Sequence, residues 1–88
     1  MTKISQTYIS NINLKFKQID DSLIVYGYLT NVTSYSGWVQ IGTLPVNVAN
    51  QTMYQDANGN YLRLVDNRVM AMPYIVGTFS LFLIAQMK

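Results

Sequence analysis

Aromatic rings beside amide side chains are the residues of this chain best suited to chemistry. Seven tyrosines and one tryptophan occur in a sequence rich in Asn and Gln. Such a mixture suits saccharide binding, because sugar C–H faces stack on rings while sugar hydroxyls hydrogen bond to polar groups. Tyr35, Trp38 and Tyr54 are the better candidates, since each stands near a polar loop. The alternative, that any one ring fills the core or its edge, stays open.

Catalytic side chains are scarce, because the chain contains no His, Cys or Glu. Zinc sites built from Cys or His, thiolate nucleophiles and imidazole bases are therefore unavailable. Asp20-Asp21 is explained more simply as a turn than as an acid/base pair, which needs carboxyls about 5 to 10 Å apart across a bond. The run DANGN, residues 56–60, lacks the Gly and Glu positions of an EF-hand. The sequence predicts no enzymatic activity, no metal and no cofactor.

Charge is sparse, with 11% charged residues against roughly 25% in an average domain. The net charge of +2 comes from six cations and four aspartates that are scattered along the sequence. Binding to a phosphate backbone usually needs a clustered basic patch. The sequence therefore predicts no nucleic-acid binding, and a surface made largely of uncharged polar side chains.

Short strands separated by turns must position these residues. INLKFK, residues 12–17, alternates apolar and polar side chains, which is typical of a strand with one buried face. The further strand-like runs are SLIVYGYLT at 22–30, WVQIGTL at 38–44, QTMYQDA at 51–57, YLRLV at 61–65 and RVMAM at 68–72. Gly27 indicates a bulge or a close backbone approach inside a strand. Tight turns are predicted at Asp20-Asp21 and Asp66-Asn67, and a type I′ hairpin at Asn58-Gly59.

The last segment, GTFSLFLIAQM at residues 77–87, is half apolar on both faces. Such a strand is either central in a sandwich or pressed against another chain. Residues 69–85 carry no charge, so a membrane span must be weighed too. Pro73, Gly77 and the strand-type alternation argue against a helix there. We expect no membrane insertion.

These patterns predict an all-β fold, a small antiparallel β-sandwich or jelly-roll-like barrel of about seven strands. Residues 1–88 are expected to form a single domain, with residues 1–10 as a linker or an entry strand. Folding a chain of this mass buries about 5,000 Å² of apolar surface, worth about 130 kcal/mol. Ordering it costs about the same, at about 1.5 kcal/mol per residue. Extra burial between subunits is a natural remedy.

The order of segments resembles the C-terminal head domain of bacteriophage tail-fibre and baseplate receptor-binding proteins. The resemblance covers residues 22–87: SLIVYGYLTNVTSYSGWVQIGTLP, an extended run, an Asn-Gly hairpin, YLRLVDNRVMAMP and a closing apolar strand. It makes the Trp-to-Leu-Pro stretch the entry to the core strand of the head, with Trp38 structural. The chain departs from the family pattern after Leu-Pro, where it reads VNVANQ, and at the late turn, which is Asp66-Asn67.

The resemblance implies a function as well as a fold. Heads of this kind are homotrimers at the tail tip of the virion that bind host cell-wall or capsular saccharide beside other tail or baseplate proteins. For this chain, the resemblance implies a non-catalytic role in adhesion to the host cell surface. The expected contacts are loops carrying Tyr35, Trp38, Tyr54, Asp56 and Asn58. The alternative is a structural trimerisation or capping domain of a tail appendage that has no ligand of its own.

Overall fold

Eight β-strands make up the secondary structure of the chain in a computed structural model that describes residues 1–88. The strands are β1 (Thr2–Lys3), β2 (Ile9–Ile19), β3 (Ser22–Asn31), β4 (Val39–Thr43), β5 (Thr52–Gln55), β6 (Tyr61–Val65), β7 (Arg68–Met72) and β8 (Gly77–Gln86). Six runs predicted from the sequence correspond to β2 through β7, and the last segment corresponds to β8. The two-residue β1 lacks enough residues to show an alternation.

The strands form two antiparallel sheets. One sheet has five strands in the order β1-β4-β7-β6-β5, and the other has three in the order β2-β3-β8. The prediction of a small all-β sandwich is confirmed. The structure contains no helix long and apolar enough to cross a membrane.

An aliphatic layer between the sheets forms the core. Alternate residues of β3 and β8 point into it, and their inward members are buried because side chains alternate across a strand. The buried apolar residues are Ile9, Leu23, Val25, Leu29, Ile41, Leu44, Val48, Leu62, Leu64, Val69, Ala71, Phe79, Leu81, Leu83 and Ala85. Ile12, Leu14 and Phe16 of β2 pack against this layer from the side, which confirms their predicted inward face.

Tight turns join the strands at two of the three predicted places. Ile19 pairs with Ser22 across Asp20-Asp21, and Val65 pairs with Arg68 across Asp66-Asn67. Asp20 and Asp66 both have positive φ, at 52° and 54°.

The predicted type I′ turn at Asn58-Gly59 is wrong in detail. Gln55 pairs with Tyr61, so the hairpin loop spans residues 56–60. Within it only Gly59 has positive φ, at 81°, whereas a type I′ turn needs it at both central residues. Asp56 provides the reason, because its side chain accepts the backbone N–H groups of Asn58 and Asn60 and stabilises a wider loop.

Gly27 lies where β2 and β3 approach most closely. Gly27 pairs with Leu14, next to the point between Ser10 and Asn13 where the register of the pair shifts. Gly27 has φ +137°, and a Cβ there would overlap the carbonyl oxygen of Asn13. Of the two alternatives predicted for Gly27, the close backbone approach is therefore confirmed, whereas the bulge lies in β2, between Ser10 and Asn13.

We expect Gly27→Ala to destabilise the domain by more than Gly77→Ala does. Gly77 has a similar φ of +134° but no atom within 4 Å of a Cβ, so its substitution measures backbone strain alone, about 1–3 kcal/mol. Gly27→Ala adds the overlap with Asn13. Urea unfolding of both variants gives the two free energies of unfolding. Equal losses would show that the close approach relaxes without cost.

Candidate functional site

Three loops meet at one end of the sandwich, which we call the loop end: residues 32–38, 56–60 and 73–77. The Ser34 hydroxyl donates to the Tyr74 carbonyl at 2.7 Å, and the Tyr35 N–H donates to the Pro73 carbonyl at 3.0 Å. The buried amide of Asn31 donates to the Ile75 carbonyl at 2.9 Å. These bonds hold the first and third loops together although about 40 residues separate them in sequence.

The hairpin loop joins this end through Tyr74. A Cβ built on Gly59 would have the Tyr74 ring as its nearest neighbour, at 3.6 Å. Gly59 follows Asn58, whose backbone N–H donates to Asp56 and whose side chain is exposed. The hairpin loop, with the exposed Asn58 next to Gly59, therefore packs beside a tyrosine ring from another loop.

Tyr35 is held as a platform. Its ring stacks on Tyr8 with 4.9 Å between the centroids, and a side chain at Gly37 would collide with it. Even so, 43% of Tyr35 is exposed. A ring fixed on one side and open on the other loses little conformational entropy when a ligand stacks on it.

Asp56 organises the hairpin loop. Its Oδ1 atom accepts the N–H groups of Asn58 and Asn60 at 2.9 and 3.0 Å, and its Oδ2 accepts the Asn60 side-chain amide at 2.9 Å. The Asn60 side-chain amide, followed by the Asn60 N–H, lowers the pKa of Asp56 below its ordinary value, because these bonds favour the charged carboxylate. The candidate Asp56 is thus engaged within its own loop.

Trp38 lies on the outer face of the five-stranded sheet. The Arg63 guanidinium sits 4.4 Å from the centre of its ring, and Tyr61 meets it edge-on at 6.2 Å. Arg63 also donates to the sulfur of Met70 at 3.7 Å. One face of the Trp38 ring is covered by this cation, which agrees with the structural role implied by the resemblance.

Tyr54 packs at the edge of the core. It pairs with Leu62, a buried residue, and its ring stacks near Phe79 at 6.4 Å. Its hydroxyl donates to the Ser80 carbonyl at 3.1 Å.

The five candidate site residues therefore do not all lie together in the structure. Tyr35, Asp56 and Asn58 belong to the loop end, whereas Tyr54 contributes to packing and Trp38 to the Arg63 stack. Tyr74 joins the loop end without having been singled out from the sequence. Its position two residues after Met72, at the end of a strand, was the available signal.

Comparisons with known proteins return no relative. No family model, curated protein or solved structure matches this chain. The resemblance to phage receptor-binding heads therefore remains a prediction that rests on the segments quoted above.

Replacing Asp56 should remove its contribution to the free energy of unfolding, and with it part of the dependence of that free energy on pH in the acid range. The pKa of Asp56 is lower in the folded chain than in the unfolded one, so its stabilising effect is complete above about pH 4. It disappears as the pH falls through the folded-state value. We expect wild type to have a larger free energy of unfolding than Asp56→Asn at pH 7. This difference between the two proteins should become smaller as the pH falls toward 2. Denaturant unfolding at several pH values tests this, and a constant gap would contradict it.

Proposed function

We propose that this chain is a non-catalytic receptor-binding head domain of a bacteriophage tail fibre or baseplate. In this proposal it adheres to a host cell-wall or capsular saccharide as a homotrimer at the tail tip. The observation that supports the adhesion is the loop end, where two exposed tyrosines, Tyr35 and Tyr74, lie on loops that are hydrogen bonded to each other and Tyr74 also borders the loop that carries Asn58. The proposed location at the tail tip of a virion and the proposed trimer come from the resemblance of residues 22–87 to phage receptor-binding heads.

The loop end has the properties of an adhesive surface of modest affinity. Tyr35 and Tyr74 are 43% and 51% exposed, and they belong to loops that are hydrogen bonded to each other. Such a surface binds a sugar chain through a few stacking and amide contacts. Several copies on one particle then gain avidity that a single site lacks.

A contact between copies is supported by the outer face of the three-stranded sheet. Ladder pairs place Tyr26 beside Phe82 and Ile24 beside Ile84 on that face. Phe82 and Ile84 are 59% and 56% exposed. β8 contains no charged residue, and a large apolar face without charge is typical of a surface that another chain covers.

The free edge of β8 supports the same contact. The Ser80 carbonyl accepts the Tyr54 hydroxyl at 3.1 Å, and the Gln86 carbonyl accepts the Ala49 N–H at 2.8 Å. Both residues therefore turn their backbone groups away from β3. By strand alternation, Phe82 and Ile84 between them do the same, and neither makes a backbone hydrogen bond outside the strand ladders.

The structural alternative is supported by this same apolar surface. A trimerisation or capping domain needs a face for its copies but needs no ligand at the loop end. The two functions therefore differ in what the loop end does, and they share the oligomer.

Adhesion is tested at the loop end. Immobilised cell-wall and capsular polysaccharides from candidate hosts are screened with wild type, Tyr35→Ala, Tyr74→Ala and Asn58→Ala. We expect each variant to weaken binding about fivefold to tenfold, since a ring contact contributes about 1 kcal/mol. Asn50→Ala, an exposed asparagine outside the loop end, is the matched control. A folded protein that binds no polysaccharide would favour the structural alternative.

Assembly is tested by light scattering after gel filtration. We expect a species near three chain masses for wild type and near one for the variant Phe82→Lys/Ile84→Lys, because buried lysines at the contact would be unpaired. Met53→Lys places the same change on the outer face of the other sheet, at an exposed residue, and should remain assembled. A folded wild-type monomer would contradict the proposed trimer, but it would not change the conclusion drawn from polysaccharide binding.

A further inference from the structure

A polar groove runs beside the bulge of β2. Its larger part encloses about 610 Å³, and its lining includes Lys3, Asn11, Asn13, Lys15 and Tyr28. A second part of about 310 Å³ shares Lys3 and Asn11 and continues toward Ser5 and Gln6.

The groove coincides with an irregularity in the backbone. The pairing of β2 with β3 shifts between Ser10 and Asn13, and Asn11 has a positive φ of 47°. A positive φ is uncommon outside glycine, although asparagine adopts it more readily than most residues. Bulges occur preferentially at sheet edges and beside binding sites, where they redirect side chains. Here the bulge brings Asn11 into the lining of both parts.

The lining offers hydrogen bonds suited to sugar hydroxyls. The Asn13 amide donates to the Tyr28 hydroxyl oxygen at 3.0 Å. That bond fixes the ring and leaves the phenolic proton of Tyr28 for another acceptor. The exposed Asn11 makes no side-chain hydrogen bond of its own, so both its amide donor and its carbonyl are open.

The charge of the groove is positive and unbalanced. Lys3 and Lys15 are far apart in sequence, but folding places both in the lining. No aspartate lines either part, and the one ion pair of the chain joins Arg68 to Asp66 elsewhere. Two unpaired lysines facing one groove favour a ligand that carries acidic groups.

We propose that this groove binds an acidic saccharide. Its acidic groups contact the ammonium groups of Lys3 and Lys15, and its hydroxyls contact Asn11, Asn13 and Tyr28. The site lies on the outer face of the three-stranded sheet, where Lys15 pairs with Tyr26, and it does not rest on the saccharide binding proposed for the loop end.

The test compares two matched probes, a short oligogalacturonate and its methyl ester, which keeps the sugars and removes the charge. Titration of ¹⁵N-labelled protein should shift the backbone resonances of Asn11, Asn13 and Lys15 with the acid form. We expect binding at least tenfold weaker with the ester. Raising the salt from 50 to 300 mM should also weaken binding of the acid form, because charges at a surface are screened.

Two variants of equal net charge separate a site from general attraction. Lys3→Gln/Lys15→Gln should weaken binding of the acid form at least tenfold, whereas Arg68→Gln/Lys88→Gln should change it less than twofold. Equal losses in both, or no shifts with wild type, would overturn the proposal. Loss of this binding in Tyr74→Ala would place the ligand at the loop end and also overturn it.

Discussion

The aliphatic layer between the two sheets is the constraint on which the rest of the structure depends. Leu23, Val25 and Leu29 of β3 are almost completely buried in it. In a strand the side-chain period is two residues, so a register slip of one residue would move them all to solvent. The burial of this one row fixes which face of β3 is outer, and with it the exposure of Tyr26 and Tyr28.

The same row fixes the position of the loops. β3 ends at Asn31, and Asn31 is itself buried, donating to the Ile75 carbonyl. The two loops that follow β3 and β7 are therefore joined where the aliphatic layer ends. A loop end built this way inherits its geometry from the core, so Tyr35 is positioned by packing as well as by its stack on Tyr8.

Local pattern predicted most of this fold, because alternation and turn residues act over short distances. The strand at residues 68–72 and the role of Gly27 are examples. What it could not predict depends on contacts between distant residues. Tyr54 faces inward against Phe79, 25 residues away in the sequence. Lys3 and Lys15 share a groove although the sequence shows only scattered cations. Tyr74 belongs to the loop end through bonds to a loop about 40 residues away.

The two edge strands of the three-stranded sheet, β2 and β8, differ in charge and in regularity. β2 carries Lys15 and Lys17 on its outer face and a bulge near its start, and both features discourage pairing with another chain. β8 has neither a charge nor a bulge, and it extends over ten residues. If both edges of the sheet were exposed, we would expect charges or bulges that discourage pairing at both of them. This difference between the two edges favours the contact between copies that we propose for the apolar face of β8.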